Sequence, residues 1–180
     1  SYLDQGEFYS EYGCFRVSIT LPDNYVVGAT GDLQYKSEIT FLNKKANLTA
    51  LIDSFPDTTD FPASSALFKT LEYEACDVHD FAWFADKRYM VLKGEVELPH
   101  SKRKVTSWTM FTPRNKGLWS KSIEYINDAT FYYSKWNGDY PYNQVTAVDG
   151  TISAGGGMEY PNVTVIGNSS TAHELEVVIV

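Results

Sequence analysis

The sequence predicts a mainly β, sandwich-like N-terminal domain, incomplete at its start, followed by the beginning of an α+β domain. Apart from one helical pattern, short strand patterns bounded by turn residues make up the chain to about residue 112. One long amphipathic helical pattern follows, and then two strand patterns separated by a glycine run. This order is typical of a β domain joined to an α+β domain, so we divide the chain into residues 1–112 and 113–180.

The first elements are two strands and a helix. Residues 15–20 alternate apolar and polar side chains, which is the period of a half-buried strand. A turn leads to a second strand at 25–29, and the two strands predict an antiparallel hairpin. Residues 37–54 have helical spacing with Ser37 as a candidate N-cap, and the proline-bearing residues 55–65 predict a surface loop.

Four further strand patterns follow, at 67–75, 81–85, 90–98 and 105–111. Gly94 predicts a bulge within the third of them. His79 lies between Asp77 and Asp80, a set of residues that could hold a metal. Because no partner cluster is found elsewhere, the sequence favours a structural histidine paired with an aspartate.

The helical pattern that follows is the longest in the chain. Large apolar residues recur every three or four positions from Leu118 to Trp136. Asn115 is a candidate cap and Gly138 a candidate stop. The aromatic stripe of this helix is expected to lie in the core rather than to bind a cofactor.

Charge and hydropathy argue against a nucleic-acid partner and against a membrane span in this segment. The net charge is −8, and residues 102–104 form the one basic cluster, which predicts a solvated hairpin loop. Nucleic acid is therefore excluded as a partner, because phosphates must be neutralised by Lys and Arg. No apolar run approaches the length of a membrane span.

The two cysteines, Cys14 and Cys76, do not make a disulfide framework. The pattern favours buried free thiols and leaves pairing open. Three glycosylation sequons begin at Asn47, Asn162 and Asn168. We discount them because so short a pattern often arises by chance.

A glycine run carries the strongest functional signal. Residues 155–157 are all glycine, they lie between strand patterns at 145–148 and 163–166, and Glu159 follows them. A bare strand edge could pair with an extended peptide, and the carboxylate could hold its terminal amine. The alternative is a bulge beside a solvated glutamate.

The segment Gly156-Gly157-Met158-Glu159-Tyr160 resembles the Gly-x-Met-Glu-Asn exopeptidase signature of the aminopeptidase N family, with Tyr160 in place of Asn. These proteins are gluzincin zinc metallopeptidases with a thermolysin-like catalytic domain. Residues 2–33 and 77–89 also resemble a bacterial branch of the family. The resemblance implies that Glu159 anchors the free amine of a peptide substrate. It also implies that Gly156, Gly157 and Met158 form the strand that the peptide lies against, and Tyr160 completes the substrate-binding segment.

The zinc-binding pattern of that family, His-Glu-x-x-His, is not complete in this chain. His173-Glu174 is followed by no second histidine at position 177. The resemblance implies that residues 174–180 are the first turns of the zinc helix and that the chain is a fragment of a larger enzyme. Zinc is then a cofactor of the parent protein, and the fragment itself holds no catalytic residue and is expected to be inactive. Export of the parent to the periplasm or cell surface stays open.

Two other classes of protein remain open. One is a non-catalytic β-sandwich module that binds peptide or carbohydrate through exposed side chains such as Trp83, Trp108 or tyrosines. The other is a structural domain in which residues 155–157 are a packing device. The residues that follow Val180 in the gene would separate these classes from a peptidase.

Overall fold

The computed structural model describes residues 11–52, 61–150, 152 and 156–180 of the 180-residue chain. The strands in this part are β1 (Gly13–Pro22), β2 (Val26–Ala29), β3 (Asp32–Leu33), β4 (Phe68–Val78), β5 (Trp83–Asp86), β6 (Met90–Glu97), β7 (Lys104–Phe111), β8 (Gln144–Asp149), β9 (Gly157–Tyr160) and β10 (Val163–Ile166). The helices are α1 (Lys36–Ala50), α2 (Lys116–Trp119), α3 (Ser122–Asn137) and α4 (Ala172–Ile179). Residues 1–10 and 53–60 lie outside the described residues, and residues 55–60 of the predicted surface loop are among them.

A five-stranded mixed sheet organises the second half of the chain. Its order is β6-β7-β8-β10-β9. The three central strands are parallel, and each edge strand is antiparallel to its neighbour. The helix α3 connects β7 to β8, as a crossover between parallel strands requires. Two smaller sheets, β1-β4-β3 and β2-β5, are built from the first half.

Both faces of the five-stranded sheet are covered. On one face, helices α2 to α4 bury a cluster that includes Phe111, Trp119 and Leu175. On the other face, α1 and the β2-β5 ribbon bury Leu42 and Val26. The β1-β4-β3 sheet packs on that ribbon in turn. The predicted fold class, a mainly β N-terminal part followed by an α+β part, is confirmed.

The predicted hairpin of the first two strands is wrong. Strand β1 pairs with β4 over its whole length, from Gly13 opposite Val78 to Pro22 opposite Phe68. Strand β2 pairs with β5 instead. The expectation of free thiols is also wrong, because Cys14 and Cys76 form a disulfide between β1 and β4.

The five-stranded sheet crosses the predicted domain boundary between residues 112 and 113. Strand β7 ends at Phe111, and it hydrogen-bonds to β8 on the other side of the boundary. Strands from both predicted domains therefore belong to one sheet. The division into 1–112 and 113–180 stays a prediction about how the chain is organised.

Helix ends depart from the sequence predictions at three positions. Helix α1 begins at Lys36 with Tyr35 as its N-cap, so Ser37 lies inside the helix. The long helical pattern is broken between α2 and α3, at residues 120–121. Asn115 holds the N-cap position of α2 without a side-chain cap bond, since its amide donates to Asp149. Gly138, with φ of 102°, ends α3 as predicted.

The basic residues 102–104 were predicted to form a solvated loop, but one of them also makes hydrogen bonds to the backbone of another segment. Arg103 donates to the carbonyl oxygen of Tyr140, and its Nη1 lies 2.9 Å from that of Tyr142. The guanidinium therefore braces the segment that leads into β8.

Gly94 does not form a bulge, because the register of β6 against β7 is uninterrupted and places Gly94 opposite Ser107. The glycine is needed for a different reason. A Cβ at Gly94 would lie 2.5 Å from Cγ2 of Ile123 and 2.8 Å from Oγ of Ser107. The missing side chain thus lets α3 approach β6 closely.

We expect Gly94→Ala to lower the free energy of unfolding by about 1–3 kcal/mol, the usual cost of overpacking a core. Gly117→Ala is the matched control, because a Cβ there meets no atom within 4 Å. Denaturant titration of the two variants measures the difference. Equal stabilities would show that α3 does not depend on this close approach.

Candidate functional site

The signature strand β9 lies at an edge of the five-stranded sheet. It pairs with β10 in an antiparallel register that places Glu159 opposite Thr164. No other strand in the described part of the chain pairs with β9. An edge of this kind can accept an extended peptide as an additional strand.

The side chains of β9 alternate between the two faces of the sheet. Met158 and Tyr160 pack against the cluster beneath α1, and the Tyr160 ring lies 6.1 Å from that of Phe84. Gly157 is on the opposite face, where a Cβ would lie 3.3 Å from Cγ1 of Val178 in α4. Glu159 shares the face of Gly157 because strand side chains have a period of two, and it is exposed.

Glu159 lies at a groove of about 590 Å³ between the sheet and helices α3 and α4. Its walls come from α3, from the end of α4 and from the sheet, and include Ile126, Val178 and Thr164. The groove is mostly apolar, and Glu159 is the one acidic side chain among its described lining residues. A cationic group that enters the groove would therefore meet this carboxylate.

The glycines before β9 differ in their surroundings. Gly156 has φ of 69°, a conformation that favours glycine, and a Cβ there would meet no atom within 4 Å. Its carbonyl oxygen accepts a hydrogen bond of 2.7 Å from the Gly167 nitrogen. Gly156 is thus open, whereas Gly157 is packed against α4. Gly155, the first glycine of the run, lies outside the described residues.

Helix α4 begins on the same face as Glu159. The Thr171 hydroxyl caps the helix by accepting from the Glu174 nitrogen at 3.1 Å. The Glu174 carboxylate accepts from the Ser170 hydroxyl at 2.6 Å and its nitrogen at 2.7 Å, and these bonds lower the pKa of Glu174. Leu175 is fully buried and fixes the helix on the sheet.

The described residues do not form a zinc site. The His173 side chain is 84% exposed, and its Nδ1 lies 3.6 Å from a carboxylate oxygen of Glu176. In the described part of the chain, no group of three or more His, Cys, Asp and Glu side chains could hold a metal ion. His79 belongs to no such group, and its ring lies 5.7 Å from that of Tyr12.

A second cavity, of about 550 Å³, lies beyond the carboxyl ends of β7 and β8. The Asp149 carboxylate accepts there from the nitrogen and hydroxyl of Thr112 and from the Asn115 amide, at 2.8–3.0 Å. Arg88 and Asp86 form an ion pair with N–O distances of 2.6 and 3.0 Å. Sequence reasoning did not find this cluster, because its members come from three separate segments. Its acids are already paired, which favours a structural role.

Asp86 makes the stability of the fold depend on pH. Burial raises the pKa of its carboxyl, but hydrogen bonds from Arg88 outweigh burial, and the pKa lies below its ordinary value of 3.8. This stabilisation is present above pH 3.8 and is lost as the pH falls through the lower value of the folded state. We expect the free energy of unfolding to fall less for Asp86→Asn than for the wild type as the pH is lowered below 3.8. Denaturant titrations at a series of acid pH values measure this. Parallel curves for the two proteins would contradict this.

One of the two tryptophans considered for an exposed aromatic platform is not exposed. Trp108 is buried at 9% exposure, and the Lys93 ammonium lies 5.1 Å from its ring centre. It lines a small cavity of about 230 Å³ between α1 and the sheet. Trp83 is half exposed on β5. The two tryptophans therefore do not share an exposed surface.

No helix in the described part of the chain is long and apolar enough to span a membrane. Comparison with protein-family models gives no match, and comparison with curated proteins gives none either.

Solved structures do share the fold. Aminopeptidase A of Legionella pneumophila, in complex with aspartic acid, matches with a TM-score of 0.61 and 12% identity, over 92% of this chain and 18% of its own. An M1 zinc metallopeptidase from Deinococcus radiodurans matches with a TM-score of 0.54 and 14% identity, over 94% of this chain and 34% of its own. A two-domain M1 zinc metallopeptidase mutant bound to L-arginine matches with a TM-score of 0.52 and 14% identity, over 94% of this chain and 34% of its own. The chain thus spans between about a fifth and a third of the length of these structures.

Proposed function

We propose that this chain is part of a zinc aminopeptidase of the aminopeptidase N family and that β9 binds the free amino terminus of a peptide substrate. One observation carries the proposal. The signature glutamate, Glu159, is exposed beside an open groove, on an edge strand that has no second strand partner in the described residues. The fold that the chain shares with an aminopeptidase and with a zinc metallopeptidase supports it.

In this proposal the substrate backbone pairs with the edge of β9 that faces away from β10, and the paired stretch starts at Gly156. Gly156 offers no side chain that would block the peptide. Met158 and Tyr160 point away from the groove and contribute their backbone, because their side chains pack under α1 and against Phe84. The edge strand then aligns the peptide before any chemistry takes place.

Glu159 would hold the substrate ammonium by charge-assisted hydrogen bonds. A carboxylate at this point admits a peptide only as far as its first residue, so only the terminal peptide bond reaches the reacting centre. This accounts for removal of residues from the amino terminus rather than cleavage within a chain.

The zinc ion of the proposed enzyme would be held by residues outside this chain. The donors at the start of α4 do not fit the ion, since His173 is exposed and belongs to no group of three or more potential ligands in the described residues. A zinc site needs three or four converging ligands. No step of the mechanism is therefore assigned to a metal held by residues 1–180.

We expect the isolated 180-residue chain to be catalytically inert and to bind zinc weakly, because the described residues supply no converging ligand set. Elemental analysis after dialysis against a chelator tests this. One zinc ion per chain after dialysis would contradict the expectation.

We also propose that the parent protein is exported. The disulfide between Cys14 and Cys76 supports this, because disulfides persist in oxidising compartments such as the periplasm and the cell surface.

The test of the proposed function uses the complete gene product. We expect an open reading frame that continues past Val180 into a His-Glu-x-x-His helix, about one zinc per chain, and release of single residues from peptides with free amino termini. N-acetylated versions of the same peptides should not be cleaved. A product without zinc or hydrolysis, or a gene that encodes no such helix, would reject the assignment.

A further inference from the structure

Asn162 occupies the turn between β9 and β10, three residues after Glu159. It has φ of 51°, a left-handed conformation that asparagine tolerates better than most residues. Although it lies in a turn, it is only 7% exposed. The Asn162 side chain is therefore enclosed by the folded protein rather than presented to solvent.

The side chain of Asn162 connects three parts of the fold. Its Oδ1 accepts a hydrogen bond of 2.7 Å from the Gly31 nitrogen and another of 2.7 Å from Nε2 of Gln144. Gly31 lies between β2 and β3, 131 residues away along the chain. The backbone oxygen of Asn162 also accepts from the Thr146 nitrogen at 3.0 Å.

The partners of Asn162 are themselves fixed. Gly31 has φ of 90°, and a Cβ there would lie 2.6 Å from the Glu74 carbonyl oxygen, so its turn is pressed against β4. Gln144 Nε2 also donates to the carbonyl oxygens of Ala29 and Gly31, at 3.0 and 3.1 Å. The turn that follows β9 is thus tied to a rigid point in the N-terminal sheets.

We infer that Asn162 is a positioning residue for the substrate amine, which rests on the function proposed above. Strand β9 has only four residues and one strand partner in the described part of the chain, so this tie adds to β10 and to the packing of Met158 and Tyr160 in holding its place. Glu159 is carried by that strand. Hydrogen bonds from an ammonium to a carboxylate need N–O distances of about 2.7–2.9 Å, so a small shift of the strand weakens them.

The test compares two competitive inhibitors of the complete gene product, a free L-amino acid and its deamino analogue. The ratio of their inhibition constants reports recognition of the amine and is unaffected by a loss of folded protein. We expect Asn162→Gly to reduce this ratio about tenfold and to raise KM for a free-amine peptide more than it lowers kcat. Glycine is chosen because it accepts the positive φ without strain and removes only the side chain.

Asn162→Asp is the conservative variant, since it keeps the acceptor oxygen and tolerates the same φ. We expect the ratio of inhibition constants in this variant to lie at most about threefold below the wild-type ratio. Thr109→Val is the matched control. It removes a buried hydrogen bond of 2.8 Å to Ser122 on the helix side of the sheet and should leave the ratio unchanged.

A third variant separates this inference from the proposed function. If Glu159→Gln leaves the ratio unchanged, the proposed function fails. If Glu159→Gln abolishes amine recognition but folded Asn162→Gly retains the full ratio, the positioning role is overturned. Should Asn162→Gly not fold, Gln144→Met removes one of the two donors and is expected to lower the ratio about threefold, and an unchanged ratio would overturn the role.

Discussion

Replacement of Glu159 by Gln in the complete gene product is expected to lower kcat/KM for peptides with a free amino terminus about 100-fold. The change keeps the shape of the side chain and removes its charge. A hydrogen bond to a charged group contributes about 1.5–3 kcal/mol, and each 1.4 kcal/mol is a factor of ten. Steady-state kinetics on the purified variant measure the loss.

The same substitution should leave the fold intact. Glu159 is exposed, and surface substitutions of this kind usually change the free energy of unfolding by less than about 0.5 kcal/mol. Glu97→Gln is the matched control, because Glu97 is also an exposed glutamate on an edge strand, at the opposite side of the sheet. Kinetics in which the two variants behave alike would reject the role of Glu159 as amine anchor.

Loss of the disulfide is expected to have the largest effect on stability. Cys14 and Cys76 are 62 residues apart in the sequence, and closing a loop of that length stabilises a fold by about 4 kcal/mol in the chain-entropy account. We therefore expect the double variant Cys14→Ser, Cys76→Ser to unfold at a much lower denaturant concentration. The loss is large beside the roughly 5–15 kcal/mol that holds a typical domain together.

A reducing agent provides the internal control for the disulfide. It should lower the stability of the wild type to that of the double variant and should not change the double variant itself. Thiol titration of the native protein should find no free thiol at either position. Two reactive thiols, or equal stability of all forms, would contradict the disulfide.

Local features of the fold could be predicted from the sequence, because they depend on neighbours along the chain. The alternation of residues 15–20 and the helical spacing of 37–54 correspond to β1 and α1. Alternation does not identify the partner of a strand, and β1 pairs with β4 across more than forty residues. The hairpin prediction failed for this reason, and the cysteine prediction failed with it, since the disulfide joins the same two strands.

In the candidate site too, features set by neighbouring residues could be predicted and features set by distant residues could not. The glycines and Glu159 lie within five consecutive positions, so a strand with an acid on it could be predicted from the sequence. The role of Asn162 could not, because its partner Gly31 lies 131 residues away and only folding brings the two together. The cluster around Asp149 could not be predicted either, because its member Thr112 lies 37 residues before Asp149 in the sequence.

The position of a bound amine tests the account most directly. A crystal structure of the complete gene product with a free L-amino acid or a dipeptide would give the distance from the ligand nitrogen to the Glu159 carboxylate. We predict about 2.7–2.9 Å, with the ligand backbone alongside β9. A ligand whose amine is held by other residues, while the Glu159 carboxylate contacts only solvent, would contradict the account.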